Sequence, residues 1–419
     1  MRRSVILLVG LVLARAASGA SPGGLDAEAR AILGPDQGVY VEDSNGDVLA
    51  VQASAKAVHP ASVSKVPTTL ALLRKFGPDH RFATTFATAG KVSGRTLYGD
   101  LLVEGGGDPS LVDENALLIA QRLRDMGIEK IAGNVRLRGA LTFDWESDQD
   151  GERLRRALTG LTPPTAAAAV RTLLADDPGK VGAVLPSPLG VQFVSTTALS
   201  TTDIVRPSSV AGPLKERSLI IHRSQPLLSL AKSLNDYSNN IFAPLANEAG
   251  GAAAVESLAR SVVPEALRAE IILGDGAGAD PRNRLSPRAA VALLRALDRE
   301  LTLTHHCLFD ILPVAGVDAG TLRNRLNAPG EAGRVVGKTG TYGDYGASAL
   351  VGAISTSDRG VVYFAILNHG VPVPEARRRQ DRFVRALLAH VHSVPWDYRP
   401  DLRPAVTRAQ VMSVPEQSP

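Results

Sequence analysis

Three short polar motifs carry side chains that could together cleave an amide bond. They are Ser62–Lys65, Ser238–Asn240 and Lys338–Thr341. Between them they supply an activatable hydroxyl, two candidate proton carriers and a cation for a substrate carboxylate. Acyl transfer through a serine ester needs such a set, because a serine hydroxyl becomes a good nucleophile only when a neighbouring base takes its proton.

The first motif places Ser62 and Lys65 three residues apart at the start of a predicted helix, so the two side chains share one helix face. A lysine can be the base only when burial or nearby cations lower its pKa towards neutrality. Taken alone, Ser-x-x-Lys also fits a helix cap followed by a solvated lysine.

The second motif places Ser238 and Asn240 in a polar stretch, residues 235–240, between two apolar helical stretches. A second hydroxyl facing the first could relay a proton to the leaving amine. The amide could orient the lysine or hold the substrate backbone. Ser and Asn also favour turns, so a turn connecting two helices fits the same residues.

The third motif follows a short apolar strand candidate. Gly340 would let a substrate backbone approach closely, as in strand addition at a sheet edge. Lys338 and Thr339 could then hold a terminal carboxylate by charge and by a hydroxyl contact. A strand ending in a polar turn is the plain alternative.

The elements that must position these motifs follow from apolar periodicity and from breaks at Gly and Pro. Helices are predicted at 59–76, 113–126, 225–249 on either side of Ser238, 252–262, 286–300 and 376–391. Strands are predicted at 81–86, 100–104, 218–222, 333–338, 347–354 and 360–367. The last two are spaced as an antiparallel meander. The stretch 157–215 is predicted to mix short strands with long loops, and Pro67 predicts a bend in the first helix.

The length of 419 residues allows one large core or two modest ones, and 44% hydrophobic with 21% charged residues is ordinary for a folded protein. Three arginines in residues 1–20 account for most of the formal charge, which falls from +4 to +1 without them. This balance gives no support to nucleic-acid binding, which needs a basic patch on the folded domain.

The first twenty residues have the pattern of a cleaved secretory signal peptide. Arg2 and Arg3 precede an apolar run, residues 5–14, and Ser18–Ala20 gives a small-x-small cleavage site. A buried N-terminal strand is the alternative. We expect an exported protein, periplasmic or extracellular and associated with the cell wall, with no stable membrane anchor. The single cysteine, Cys307, excludes an intramolecular disulfide.

The order Ser-x-x-Lys, Ser-x-Asn, Lys-Thr-Gly resembles the motif set of penicillin-binding proteins. Further matching stretches are Pro60–Ser62, Gly77–Phe82, Gly99–Leu101, Gly105–Pro109, Gly133–Val135, Leu312–Gly316 and Gly333–Val335. Together they are similar to class C low-molecular-mass penicillin-binding proteins, the D-alanyl-D-alanine carboxypeptidases and endopeptidases. The resemblance runs from about Val39 to Leu388.

This resemblance implies an α/β (α+β) penicilloyl-serine-transferase, β-lactamase-like fold: an antiparallel sheet flanked by helices, with an inserted accessory region. The catalytic domain would combine residues 21–82 with 224–395. The insert would occupy residues 83–223, and a Pro-rich tail would occupy 396–419.

The resemblance also implies a role for each motif. Ser62 would be the acylated nucleophile and Lys65 its general base. Ser238 and Asn240 would serve proton relay and substrate orientation. No metal and no other cofactor is expected.

The third motif would bind the substrate. Lys338 and Thr339 would bind the carboxylate of the terminal D-alanine beside Gly340. The backbone N–H groups of Ser62 and Thr341 would form the oxyanion hole, a donor pair that stabilises a tetrahedral intermediate.

The implied function is that of a serine D,D-peptidase acting on peptidoglycan stem peptides. It would remove terminal D-alanine, cut D,D cross-links, or both, and β-lactams would acylate the same serine. Two alternatives stay open at this point: a β-lactamase or esterase of the same fold, and a catalytically silent peptidoglycan-binding protein.

Two positions depart from the family pattern. Residues 275–280 are Asp-Gly-Ala-Gly-Ala-Asp, whereas members commonly carry Asp-Gly-Ser-Gly-Leu-Ser. Arg138 stands where an Asp that recognises the free amine of the peptide is often found. We therefore expect an altered loop near the site, and the usual preference for diaminopimelate does not follow from this sequence.

Overall fold

A computed structural model describes residues 23–175, 189–194, 216–343 and 346–415. The predicted signal peptide, residues 1–20, lies outside the described residues. No helix within the described ranges is both long enough and apolar enough to cross a membrane.

The helices agree closely with the apolar periodicity. In chain order they are α1 (Gly23–Leu33), α2 (Lys65–Phe76), α3 (Asp113–Asp125), α4 (Glu152–Leu158), α5 (Pro164–Ala175), α6 (Leu227–Tyr237), α7 (Phe242–Glu248), α8 (Ala252–Ser261), α9 (Pro287–Leu303) and α10 (Val373–His390). The predicted helices at 113–126, 252–262, 286–300 and 376–391 are confirmed as α3, α8, α9 and α10. The two helices predicted around Ser238 are α6 and α7.

The strands include every predicted one and several that were not predicted. They are β1 (Gly38–Asp43), β2 (Val48–Gln52), β3 (Ala83–Thr88), β4 (Lys91–Ser93), β5 (Thr96–Tyr98), β6 (Leu101–Gly106), β7 (Lys130–Ala132), β8 (Val135–Arg138), β9 (Thr142–Phe143), β10 (Glu146–Ser147), β11 (Gln192–Phe193), β12 (Arg217–Arg223), β13 (Ile271–Ile272), β14 (Arg284–Leu285), β15 (Val335–Tyr342), β16 (Ala347–Ser355), β17 (Val361–His369) and β18 (Gln410–Ser413).

The central sheet is antiparallel and has the strand order β15-β16-β17-β1-β2. Successive side chains of a strand point to opposite faces. In β17, Val362, Phe364 and Ile366 therefore face the core under α1 and α10, whereas Tyr363 and Ala365 face the core under α2 and α9. Both faces are covered, which explains why β16 and β17 are almost continuously apolar. The predicted antiparallel sheet flanked by helices is confirmed.

A second region has its own sheets and its own apolar core. Its larger sheet has the order β18-β12-β3-β6-β8, and a smaller one has the order β11-β7-β5-β4. The core between them contains Phe86, Leu97, Val103, Ile119 and Leu154, all fully buried. Strand β18 lies in the Pro-rich end of the chain, so this end returns to pair with β12.

The prediction for residues 157–215 was wrong at α5. Ala166, Val170 and Leu174 are spaced by four residues and are buried, so they form one apolar helix face. Val170 and Leu174 pack with Leu117 of α3. The many alanines make this stripe weakly apolar, which is why the periodicity is hard to see in the sequence.

The first motif begins in a short 3-10 helix, Ala61–Ser64, which leads directly into α2. The predicted helix at 59–76 is thus confirmed, with a tighter first turn. Pro67 is the third residue of α2, in its first turn. Proline is tolerated in the first turn of an α-helix, and the bend at Pro67 stays a prediction.

Candidate active site

The first and second motifs meet at the ammonium group of Lys65. Its Nζ donates to Ser62 Oγ at 2.7 Å and to Asn240 Oδ1 at 3.2 Å. A third bond, at 2.7 Å, goes to the backbone carbonyl oxygen of Ala277. Ser62 and Lys65 share one turn, as predicted, whereas Asn240 and Ala277 come from distant parts of the chain.

The environment of Lys65 favours its neutral form. The residue is fully buried, and burial lowers its pKa to about 8, opposed by the negative charge of Asp275. Because burial penalises the charged form, about a tenth of Lys65 is a free amine at pH 7, far more than for an ordinary lysine. A free amine 2.7 Å from a serine hydroxyl can accept its proton.

Strand β15 packs directly against the turn that carries Ser62. A side chain at Gly340 would place its Cβ 2.6 Å from the carbonyl oxygen of Pro60 and 3.2 Å from the backbone nitrogen of Ser62. Contacts under 3.0 Å are essentially absent for real Cβ atoms. Glycine is therefore required at position 340 to bring the third motif next to the first.

The altered loop, residues 275–280, packs against the turn that carries Ser62. Besides the Ala277 carbonyl, it offers the Gly276 carbonyl to Thr68 Oγ1 at 2.8 Å. Gly278 has a positive φ of 90°, and a Cβ there would lie 2.0 Å from the Ala61 carbonyl oxygen. The loop therefore lies beside the site, and the effect of its altered residues stays a prediction.

Asp275 holds this loop in shape. Its carboxylate accepts the backbone N–H groups of Gly278 and Ala279 at 2.8 and 2.9 Å, and an amide N–H of Asn283 at 2.9 Å. Burial alone would raise the pKa of Asp275, but these hydrogen bonds stabilise the carboxylate and hold its pKa below the usual value.

The second and third motifs meet at Lys338. Its Nζ donates to Ser238 Oγ at 2.8 Å and to its neighbour's carbonyl, Thr339 O, at 2.9 Å. Ser238 ends α6 in the left-handed conformation, with φ 56° and ψ 40°. Glycine usually occupies such a position because a side chain is disfavoured there. A serine in this place turns its hydroxyl towards β15 at some conformational cost.

Lys338 is also fully buried, and its electrostatic surroundings differ from those of Lys65. Burial lowers its pKa well below the ordinary value, the Lys65 charge lowers it further, and Asp236 opposes both. Asp236 is itself shielded from solvent, and burial raises its pKa to about 6 against the opposing charge of Lys232. The charge of Asp236 therefore acts on the second lysine, while the carboxylate of Asp236 pairs with Lys232 at 3.2 Å.

The remaining motif residues differ in exposure. Thr339 and Gly340 are buried, whereas Thr341 is exposed, and its hydroxyl oxygen accepts a hydrogen bond from Arg377 Nη2 at 2.9 Å. Asn239, at the variable position of the second motif, accepts the Ile241 backbone N–H at 2.8 Å with Oδ1. Its side chain therefore shapes the start of α7 and does not contact the two lysines.

Sequence reasoning missed several residues of the site. Ala277 contributes a backbone carbonyl, which carries no sequence signal. His59 stacks on Tyr342 with ring centroids 3.9 Å apart and accepts the Ala61 backbone N–H at 3.1 Å. His59 lies only three residues before Ser62, so the sequence alone could have placed it near the site. Nothing in the sequence distinguishes Arg377 from the other arginines of the same run, so its contact with the third motif could not be predicted.

Arg138 lies away from these contacts, on β8 in the second region. Its exposed guanidinium forms two parallel hydrogen bonds with Glu216, at 3.0 and 2.9 Å. This pairing gives Arg138 a local partner of opposite charge. Within the described residues, no group of three or more His, Cys, Asp or Glu side chains is placed to hold a metal ion.

A serine beside a buried lysine, between a helix start and an edge strand, has the arrangement that serine acyl-transfer enzymes need. The family model of D-Ala-D-Ala carboxypeptidase 3 (S13) matches residues 26–184 and 198–390, and the chain belongs to this family. The predicted family is confirmed, and with it the predicted serine-type D,D-peptidase class.

Two characterised relatives share modest sequence identity over most of their length. A D-alanyl-D-alanine carboxypeptidase of Actinomadura sp. (strain R39) is 26% identical, with 87% of this chain and 84% of the relative covered. The carboxypeptidase DacB of Mycolicibacterium smegmatis is 27% identical, with 81% and 78% covered.

Solved structures with the same fold cover the chain equally well. The predatory endopeptidase Bd3459 of Bdellovibrio bacteriovorus superposes with a TM-score of 0.68 at 22% identity, over 87% of this chain and 95% of that one. Penicillin-binding protein 4 of Haemophilus influenzae gives a TM-score of 0.59 at 20% identity, over 88% and 100%. The predicted β-lactamase-like fold is confirmed.

Proposed function

We propose that this chain hydrolyses D-Ala-D-Ala bonds of peptidoglycan stem peptides, and D,D cross-links of the same stereochemistry, through an acyl-Ser62 intermediate. The observation that carries the proposal is the 2.7 Å contact between Ser62 Oγ and a buried Lys65 whose pKa is about 8. The family assignment supports the bond and the substrate class.

In the acylation step, neutral Lys65 takes the proton of Ser62 as Oγ attacks the carbonyl carbon of the penultimate D-alanine. The backbone N–H groups of Ser62 and Thr341 stabilise the negative oxygen of the tetrahedral intermediate. The C–N bond then breaks, and the proton that Lys65 took from Ser62 passes through Ser238 to the leaving amine, so that Lys65 is neutral again. Lys65 next takes a proton from water as the water attacks the ester, and it returns a proton to Ser62 Oγ when the ester bond breaks.

The other motif residues position the substrate. Asn240 holds the acyl side of the peptide and orients Lys65, to which its Oδ1 is bonded. Thr339 binds the terminal carboxylate beside Gly340, and the charge of Lys338 attracts it. The depth of Lys338 limits it to action through Ser238 and through the electrostatic field.

We also propose the domain division and the location of the protein. Residues 21–82 and 224–395 form the catalytic domain, and residues 83–223 form an inserted accessory domain. The separate apolar core of β3–β12 supports this division. Residues 396–419 follow as a Pro-rich tail. Export to the periplasm or the cell wall follows from the location of peptidoglycan.

The test is intact-protein mass after incubation with benzylpenicillin, a β-lactam whose ring mimics the scissile amide. We expect the wild type to gain one penicilloyl group and Ser62→Ala to gain none. Ser64→Ala is a matched control, since Ser64 is buried in the same turn and its hydroxyl has no partner among the described residues. This control should label like the wild type.

Other outcomes would overturn the proposal in distinguishable ways. Rapid nitrocefin turnover without a stable adduct indicates a β-lactamase or esterase. A folded wild type that gives neither adduct nor turnover, but binds isolated peptidoglycan, indicates a silent binding protein. Labelling of Ser62→Ala at the wild-type level would rule out Ser62 as the nucleophile.

A further inference from the structure

The residue before the nucleophile has a left-handed backbone conformation. Ala61 has a φ of 50°, which residues with a side chain rarely adopt. It is fully buried, and its ψ angle orients the peptide unit that carries the backbone N–H of Ser62. This N–H is one of the two donors that stabilise the tetrahedral intermediate in the proposed mechanism. The surroundings must therefore hold Ala61 in place, because relaxation of its backbone would rotate the donor.

The imidazole of His59 connects Ala61 to the altered loop. Its Nδ1 accepts the Ala61 backbone N–H at 3.1 Å, and its Nε2 lies 3.0 Å from the backbone carbonyl oxygen of Asp280. A backbone N–H can only donate a hydrogen bond, and a carbonyl oxygen can only accept one. The two partners therefore require the neutral tautomer in which Nε2 carries the proton and Nδ1 is the acceptor.

A third element fixes the plane of the same ring. Tyr342 ends β15, and its ring stacks on His59 with centroids 3.9 Å apart and an angle of 25° between the planes. Thr341, whose backbone N–H is the other donor of the proposed mechanism, is the residue before Tyr342. One imidazole thus contacts the turn that carries the nucleophile, the altered loop and the end of the edge strand.

The groups that face His59 leave its neutral form favoured. The ring is half-buried, and burial is the largest influence on its pKa, which lies below the ordinary value. The hydrogen bond to the Asp280 carbonyl and the charges of Asp275 and Asp280 oppose this shift, whereas the charge of Arg284 adds to it. The group that faces the ring from β15 is the phenol of Tyr342.

We propose that His59 is a positioning residue for acylation: its neutral imidazole holds Ala61 in the left-handed conformation and so directs the Ser62 backbone N–H towards the oxyanion. The inference rests on the proposed function, because it assigns the support of the same acyl-transfer site. Protonation would place a hydrogen on Nδ1, which would then face the Ala61 N–H and no longer accept from it. Acylation therefore needs two deprotonated groups, Lys65 and His59.

The test is the pH profile of the second-order rate constant for acylation by benzylpenicillin, followed by intact-protein mass. In the wild type the rate constant should fall about tenfold per pH unit below about 8, through Lys65 alone. Below the pKa of His59 the fall should steepen to about 100-fold per pH unit, because two protons must then be lost. An NMR titration of the His59 Cε1 proton in Ser62→Ala gives that pKa independently.

Two substitutions separate the acceptor from the ring. In His59→Asn, Oδ1 replaces Nδ1 as an acceptor that does not titrate. We expect acylation at pH 8 within about threefold of the wild type and no steepening on the acid side. His59→Phe keeps a ring to stack on Tyr342 and removes the acceptor, so it should lower the rate constant roughly 10-fold at pH 8.

His80→Asn is the matched control. His80 is another histidine whose pKa is lowered by burial, and its ring stacks on Phe76 with centroids 4.5 Å apart. It follows the far end of α2, the helix that begins with Lys65, so the length of this helix separates it from Ser62. This variant should keep both the rate constant and the steeper limb of the wild type.

The outcomes separate this inference from the proposed function. Equal losses at pH 8 in His59→Asn and His59→Phe would make His59 a merely structural residue and overturn the inference. A wild-type profile that does not steepen at the pKa found by NMR would overturn it, and so would a steeper limb that survives in His59→Asn. Each of these results leaves acylation at Ser62 intact. If the wild type forms no more adduct than Ser62→Ala at any pH, the proposed function itself fails.

Discussion

The cleft contains two serine–lysine pairs with nearly the same contact and different surroundings. Ser62 lies 2.7 Å from Lys65, and Ser238 lies 2.8 Å from Lys338. Both lysines are fully buried, and burial lowers the pKa of each. The first pair is made within one helical turn, whereas the second joins a helix end to a strand 100 residues further along the chain.

The comparison teaches that the contact alone does not assign a role to a buried lysine. Lys65 has acceptors on three sides and opens towards the cleft through Ser62. Lys338 donates to Ser238, and the charge of Asp236 opposes the lowering of its pKa. The charge of Lys65 lowers the pKa of Lys338, because like charges at close range disfavour ionisation.

The largest expected effect separates the two serines. Ser62→Ala should lower kcat/KM for D-alanine release by about 10⁴-fold or more, because it removes the nucleophile. Ser238→Ala should lower it by about 10²- to 10³-fold and still give a penicilloyl adduct, because it removes only a proton relay. The two pairs would have exchanged roles if the adduct survived in Ser62→Ala and vanished in Ser238→Ala.

The next largest effect separates the two lysines. Lys65→Met should lower the rate of acylation by about 10²- to 10⁴-fold through loss of the general base. Methionine fills most of the same buried space without a charge. Lys338→Met should cost less, about tenfold, because Lys338 does not take the serine proton in our scheme. Pre-steady-state acylation by benzylpenicillin measures both, and equal losses would contradict the assignment.

The pH dependence tests the coupling between the pairs. Only the free amine of Lys65 is a base, so kcat/KM should rise with pH and level off above about 8, the pKa of Lys65. Below that value it should fall about tenfold per pH unit. The pKa of Lys65 is set by burial against the charge of Asp275, so Lys338→Met should leave this limb near pH 8. A limb that moves to higher pH would show that the charge of Lys338 also acts on Lys65.

The smallest effect concerns the carboxylate beside each lysine. The folded-state pKa of Asp236 is about 6, above its ordinary 3.8, so the folded state binds more protons between these values. Stability relative to Asp236→Asn should therefore fall as pH rises from about 4 to about 6, by up to about 3 kcal/mol. Urea unfolding at several pH values measures the difference.

Asp275 should give the opposite slope. Its pKa is held below the ordinary value, so its contribution to stability is present at neutral pH and lost as pH falls through the folded-state pKa. Stability relative to Asp275→Asn should therefore fall on acidification. Slopes of the same sign for Asp236→Asn and Asp275→Asn would show that the two carboxylates do not differ in the way described.

The sequence by itself determined the local part of this protein. Ser62 and Lys65 lie within one turn, so a helix prediction already brings their side chains together. The apolar periodicity also located the meander that contains Lys338 and the helices on either side of Ser238. The order of the motifs indicated the family, and the family model then matched residues 26–184 and 198–390.

Only the tertiary structure decided which distant groups meet. The Ser238–Lys338 contact, the Ala277 carbonyl on Lys65 and the Arg377 contact with Thr341 join residues far apart in the chain. Backbone carbonyls carry no residue signal, and an arginine in a basic run looks like its neighbours. Burial, which sets the pKa of both lysines, depends on how helices and sheet pack around them. The spacing of residues in the sequence predicts neither the long-range contacts nor the burial of the lysines, because both depend on how the whole chain packs.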